Sequence, residues 1–103
     1  MAAFVESTRR IMSNLIRYKM IFSGRVQGVG FRYKANYVAN RYRLTGYVKN
    51  EYDGSVKVEV QGSDEAIDMF IHTMNNDMFI KIHEMEKEIL PVVENERDFK
   101  VKY

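Results

Sequence analysis

The stretch Ile16-Arg17-Tyr18-Lys19-Met20-Ile21-Phe22-Ser23, followed by Gly24-Arg25-Val26-Gln27-Gly28-Val29-Gly30 and then Phe31-Arg32, changes its hydrophobic period across a glycine-rich break. Ile16, Tyr18, Met20 and Phe22 alternate with Arg17, Lys19 and Ser23, the period of two expected of a half-buried strand. Beyond the glycines, Phe31, Ala35, Val38, Ala39 and Tyr42 recur at helical spacing with Arg and Lys between them, which predicts an amphipathic helix.

Working outward, Leu44 to Glu51 reads as a second strand, and Asp53-Gly54 as the turn into a third, in which Val56, Val58 and Val60 alternate with Lys57, Glu59 and Gln61. Gly62-Ser63-Asp64-Glu65 opens a second helix with Ser63 as its N-cap, and the acidic residues suit the positive end of the helix dipole. Ala66, Ile67, Phe70, Ile71 and Met74 form its apolar face, and Asn75-Asn76-Asp77 ends it. Residues 81–90 read as a fourth strand whose alternation is blurred by Lys87, and Phe99, Val101 and Tyr103 as a short closing strand. The order is βαββαβ plus a C-terminal strand. Right-handed crossovers then put two helices on one face of a mostly antiparallel sheet. The expected fold is therefore α+β, a ferredoxin-like two-layer sandwich spanning residues 16–103. Residues 1–15 stand apart as an N-terminal extension, read as a frayed tail, with a short helix on Phe4, Ile11 and Leu15 as the alternative.

A chain of 103 residues fits one domain. It contains no cysteine, which removes disulfides, thiolate nucleophiles and Cys-based zinc sites and suits a reducing compartment. A net charge of +2 is compatible with a small anionic ligand but lacks the basic stripe of a nucleic-acid binder. No apolar run approaches the roughly 18 residues of a membrane-spanning helix, and no secretory signal is apparent. The expectation is a cytoplasmic monomer with neither nucleic acid nor membrane as partner.

The chemistry concentrates in the glycine loop. Glycines let a backbone approach a ligand closely, and successive N–H groups feeding a helix N-terminus make an anion site. Arg32 falls in the first helical turn, where the dipole disfavours a cation, and a bound anion would relieve that conflict while taking a bidentate guanidinium contact. The bland reading is a strand-to-helix turn with Arg32 in solvent. G-x-x-x-x-G-K-S/T fails because no Lys-Ser or Lys-Thr follows the glycines, and G-x-G-x-x-G fails because Tyr33 stands where the third glycine belongs.

At these residues the sequence resembles the acylphosphatase family. The signature G-x-V-x-G-V-x-F-R is matched by Gly24, Val26, Gly28, Val29, Phe31 and Arg32, and the second, G-aromatic-V-x-N, by Gly46-Tyr47-Val48-Lys49-Asn50. The resemblance covers about residues 17–103. It implies metal-independent hydrolysis of an acyl phosphate to a carboxylate and inorganic phosphate, the latter also acting as inhibitor, with no cofactor. It further implies Arg32 and Asn50 as catalytic residues, with phosphate held along Val26, Gln27, Gly28, Val29, Gly30, Phe31 and Arg32. The departures are Tyr47 in place of the family's common tryptophan, Asn75-Asn76-Asp77-Met78-Phe79 in place of a Gly/Pro loop, and the N-terminal extension.

The remaining candidates have plainer readings. Arg25, Gln27 and Lys49 are read, as side chains, as solvated or rim residues. Asn50 has the alternative of a strand-end residue bonding the Tyr52-Asp53-Gly54 turn. His72 and His83 are isolated, with no metal-binding partner in the pattern. Glu84, Glu86 and Glu88 would share one solvated strand face, and Met69, Met74, Met78 and Met85 would fill the core. Rival readings keep the fold and change the activity. They are a carbamoyl-phosphate-handling unit of a larger maturation enzyme, a phosphate binder without turnover, and an RNA-binding module. The last would need aromatic residues on the third strand, where Ser55 to Val60 has none.

Overall fold

The computed structural model describes residues 14–103; the expectations for the N-terminal extension before Asn14 lie outside the described residues. Strand β1 (Ile16–Arg25) leads through a short turn into helix α1 (Phe31–Arg41), followed by β2 (Thr45–Asn50), β3 (Val56–Gly62), helix α2 (Asp64–Asn75), β4 (Lys81–Leu90) and β5 (Phe99–Lys102). The five strands form one sheet in the order β4-β1-β3-β2-β5. Every neighbouring pair is antiparallel except β2 with β5. This is the expected two-layer sandwich with its extra strand.

Alternation decides which residues the helices cover. Met20, Phe22, Val48, Val56, Val58 and Val60 are buried on one sheet face against Phe31, Ala35, Val38 and Ala39 of α1 and Ile67, Phe70 and Met74 of α2. Helix α1 ends where Arg43 adopts a left-handed φ of 59° and Leu44 donates its N–H to the Ala39 carbonyl at 2.8 Å, a Schellman-type close. Helix α2 opens with Ser63, whose hydroxyl accepts from the Ala66 N–H at 3.2 Å.

On the opposite face of the sheet, one of the polar residues that alternate along β1 is not solvated. Arg17 is buried, because residues 91–98 cross this face and bring Glu96 to it. Its guanidinium donates to Glu59 (3.0 Å), Glu96 (2.8 and 3.3 Å) and Gln61 (3.2 Å), and Gln61 exchanges two further bonds with the Val93 backbone. Burial works against the Arg17 charge, but the bonds and charges of Glu96 and Glu59 outweigh it and hold its pKa above the ordinary value. Tyr47 joins this network through its hydroxyl, which donates to Glu59 at 2.6 Å.

Four sequence readings change. Strand β1 runs on to Arg25, so Gly24 belongs to the sheet: it lies at a bulge against β4, where a Cβ would stand 2.4 Å from the Lys81 carbonyl oxygen. Lys87 is not a lapse in β4, since its ammonium sits 4.2 Å from the Tyr18 ring centre, a cation over an aromatic face at the uncovered edge. Met69 and Met78 are not core filler; they are 44% and 79% exposed, Met69 because α2 turns only Ile67, Phe70 and Met74 fully inward, and Met78 because it lies in the loop between α2 and β4. The closing strand stops at Lys102, leaving Tyr103 beyond it and exposed. The three glutamates of β4 do share an exposed face, where Glu88 pairs with Lys19 at 3.2 Å. No described helix is long and apolar enough to cross a membrane.

Candidate active site

The turn between β1 and α1 is fixed at both ends. Val26 is buried before it and Phe31 after it, and the Phe31 ring packs on Phe22 at 5.2 Å between centroids. In between, Gly28 and Gly30 take left-handed φ values of 74° and 81°. Nothing lies within 4 Å of where a Cβ on Gly30 would stand, so it is backbone conformation, not crowding, that calls for glycine there.

The turn is also tied sideways. Gln27 donates from its Nε2 to the carbonyls of Glu51 and Ser55, both at 2.8 Å. Its side chain is therefore not a solvated rim group; it fastens the glycine turn to the β2–β3 hairpin, at the end of the strand that carries Asn50. The hairpin's other bonds run from the Glu51 N–H to the Ser55 carbonyl, from the Gly54 N–H to Glu51, and from Ser55 to the Asp53 carboxylate. Asn50 donates none of them, so the turn-bonding alternative for its side chain does not hold.

Helix α1 begins without the usual fittings. The bond from the Lys34 N–H to the Gly30 carbonyl (3.0 Å) closes its first turn. The N–H groups of Gly30, Phe31, Arg32 and Tyr33 ahead of it have no intrahelical acceptor. Gly30 is the N-cap, no side chain caps the turn, and the first turn holds no acidic residue. Arg32 stands at this positive end. Among the described residues it pairs with no carboxylate; its neighbours are the Lys102 carbonyl, 3.5 Å from Nη1, and the Tyr103 ring, 4.7 Å from Cζ. It is neither locked in the core nor free in solvent.

These parts open onto one cleft of about 680 Å³, lined at this end by Val26, Gly28, Gly30, Phe31, Arg32 and Asn50. Of the residues singled out from the sequence, Val29 packs half-buried against the core and Gln27 turns to the hairpin, so neither lines the cleft. Arg25 and Lys49 are exposed, as are His72 and His83. Tyr103, read only as part of a closing strand, reaches the site because it shares the inward parity of Phe99 and Val101. Tyr47, the main departure from the family pattern, lies on the opposite sheet face with Glu59 and does not line the cleft. The altered loop after α2 is organised by Asp77, which accepts from the Phe79 and Ile80 N–H groups (2.7 and 2.8 Å) and from Lys34 of α1 (2.7 Å).

Chemically, the cleft offers a fixed cation, several unbonded N–H donors at a positive helix end, and a neutral amide. Those groups suit a compact anion, with room beside it.

The family model described as acylphosphatase matches residues 18–101. An acylphosphatase of Clostridium beijerinckii is 41% identical over 90 residues, which are 86% of this chain and all of that protein. The crystal structure of acylphosphatase from Bacillus subtilis has a TM-score of 0.79 at 34% identity, covering 85% of this chain and 99% of that one. T. kodakarensis HypF has a TM-score of 0.76 at 32% identity; the match covers 85% of this chain but 12% of HypF.

Proposed function

The chain belongs to the acylphosphatase family and is an acylphosphate hydrolase; on that premise we propose that the substrate's phosphoryl group is held by Arg32 together with the backbone N–H groups of the Val26–Phe31 turn, and that Asn50 orients the attacking water. The observation that carries the reading is the convergence on one cleft of an uncapped helix N-terminus with an arginine and an asparagine whose side chains, among the described residues, have no carboxylate and no hydrogen-bond partner respectively.

The reaction converts RCO–O–PO3²⁻ and water to RCOO⁻ and H2PO4⁻. Water attacks phosphorus, and the bond between phosphorus and the bridging oxygen breaks. The leaving group is a carboxylate whose conjugate acid has a pKa of about 4, so it departs without a proton donor at neutral pH. What remains is to hold the phosphoryl group and to balance charge on its equatorial oxygens. Arg32 does this with a planar fork of donors, and the helix end adds fixed N–H dipoles that need no reorganisation. Asn50 carries a neutral amide, which accepts from or donates to water but is no base. The water's proton passes to a phosphoryl oxygen, which becomes the second acidic oxygen of the product. No step requires a metal ion.

The reading also takes the enzyme as cytoplasmic, with which a cysteine-free sequence agrees, and as a monomer. Benzoyl phosphate hydrolysis by wild type, Arg32→Gln and Asn50→Ala tests the site. Both variants should lose turnover while keeping the wild-type circular dichroism spectrum; phosphate should inhibit competitively, and EDTA should change nothing. Full activity in Arg32→Gln removes the mechanism.

A further inference from the structure

The cleft is larger than a phosphoryl group requires. At about 680 Å³ it falls in the range of sites that enclose drug-sized ligands, roughly 300–1,000 Å³. Its second half runs along α1, lined by Tyr33, Asn36, Tyr37 and Asn40, with Tyr103 facing them. The four helical residues are spaced i, i+3, i+4 and i+7, which puts them on one stripe. Asn36 and Asn40 continue the ridge that starts at Arg32, and Asn40 lies about 12 Å along the axis from it at about 1.5 Å per residue.

The stripe has a definite chemistry. Tyr33, Tyr37 and Tyr103 are 80%, 62% and 94% exposed, three large aromatic side chains that line the same cleft. Between them, Asn40 donates from Nδ2 to the Asn36 backbone carbonyl at 2.9 Å and also to the Asn36 side-chain oxygen. Because a carbonyl only accepts, this fixes which end of each amide is which. Among the described residues the Asn36 Nδ2 and the Asn40 Oδ1 have no further partner, which leaves a donor and an acceptor on the stripe. Among the described residues lining the cleft, Arg32 alone has a charged side chain.

We propose that this stripe is the acyl-group subsite, and that it selects an extended, uncharged acyl phosphate carrying an amide and an aromatic or similarly flat apolar end. The inference rests on the phosphoryl-site reading, which fixes one end of the substrate at Arg32. The acyl chain then leaves along the helix. Its amide meets the Asn36 donor and the Asn40 acceptor, and its flat end lies on Tyr33 and Tyr37, whose rings offer contact area at little entropic cost. A second charge on the acyl group would find no partner on this stripe.

The test compares kcat/KM for N-benzoylglycyl phosphate and acetyl phosphate in wild type, Asn36→Ala, Tyr37→Ala and Tyr37→Phe. The two-carbon acyl group ends near Arg32, whereas the benzoylglycyl group spans the stripe. The ratio of the two constants should fall about tenfold in Asn36→Ala and in Tyr37→Ala, through KM of the longer substrate, and should return in Tyr37→Phe. A ratio that stays at the wild-type value in both alanine variants overturns the subsite. So does a Tyr37→Ala change confined to the sedimentation coefficient, which would make the stripe a contact between copies of the chain. Arg32→Gln separates the two readings: if it spares acetyl phosphate, the phosphoryl site fails. If it abolishes acetyl phosphate turnover while the ratio stays fixed in the alanine variants, only the acyl subsite fails.

Discussion

The two helices of this small sandwich start in opposite ways. Helix α2 has a serine cap whose hydroxyl takes an orphan N–H, and two acidic residues, Asp64 and Glu65, in its first turn. Its positive end is neutralised by its own side chains. Helix α1 has a glycine cap, no acidic residue and an arginine in the same turn. By the rules of helix stability α1 is the poorly made one, since an N-cap side chain contributes about 1 kcal/mol and a cation at that end costs a few tenths. The deficit lies where an anionic substrate would correct it.

The arginines repeat the lesson. Arg17 is buried and saturated by Glu59, Glu96 and Gln61. Arg32 is half-buried and meets a carbonyl at the limit of hydrogen bonding and a tyrosine ring. One guanidinium has its anions built in and belongs to stability. The other lacks them among the described residues, and the proposed reading gives it to the phosphoryl site.

Exchanging these roles by mutation is the sharpest way to break the comparison. The largest effect is expected for Arg32→Gln, which should lower kcat/KM for benzoyl phosphate by about 10³-fold, the scale on which arginine acts in phosphoryl transfer, with a melting temperature no lower than that of the wild type. Arg17→Gln should do the reverse. It leaves two partly buried carboxylates without their cation, so urea unfolding should show a loss of about 3 kcal/mol, while the kcat of the folded protein stays at the wild-type value. If Arg17→Gln cost activity at constant stability, the division between the two arginines would be wrong. Ser63→Ala should cost about 1 kcal/mol of stability with no change in kcat/KM, read by the same unfolding and kinetic measurements.

A smaller effect concerns pH. The bond from Lys34, then those from the Ile80 and Phe79 N–H groups, hold the Asp77 carboxyl down to about 2 from an ordinary 3.8. A carboxylate with a depressed folded pKa stabilises the fold above its unfolded pKa, and that contribution disappears as pH falls through the folded one. The melting-temperature difference between wild type and Asp77→Asn should therefore be constant above pH about 4 and shrink towards pH about 2. A difference that grew on acidification would contradict the assignment.

Much of this was legible in the sequence because it is local. A change from period two to period 3.6 across Gly28 and Gly30 marks the β1–α1 unit, and Ser63 ahead of two acids marks the start of α2. The partners of side chains that reach across the fold were not legible. Arg17 alternates with Tyr18 as a solvated residue would, and only the passage of residues 91–98 over that face makes it a buried ion-pair centre. The Gln27 amide binds carbonyls more than 20 residues away, a fact no spacing rule contains. Met69 and Met78 looked like core by composition, but methionine's apolar character does not say that Met69 takes the outer face of α2 or that Met78 falls in an exposed loop. In the site, Arg32 and Asn50 were visible through motif resemblance, whereas the aromatic stripe of Tyr33, Tyr37 and Tyr103 was not, because its third member comes from the far end of the chain.

At the centre of this account, the uncapped start of α1 is an anion receptor and the capped start of α2 is not. Titrating ¹⁵N-labelled protein with inorganic phosphate and following the backbone amides tests it directly. Saturable shifts at Gly28, Gly30, Phe31 and Arg32, together with the Asn50 side-chain amide, are predicted, with Asp64, Glu65 and Ala66 unmoved. Equal shifts at both helix starts, or none at the first, would contradict the account.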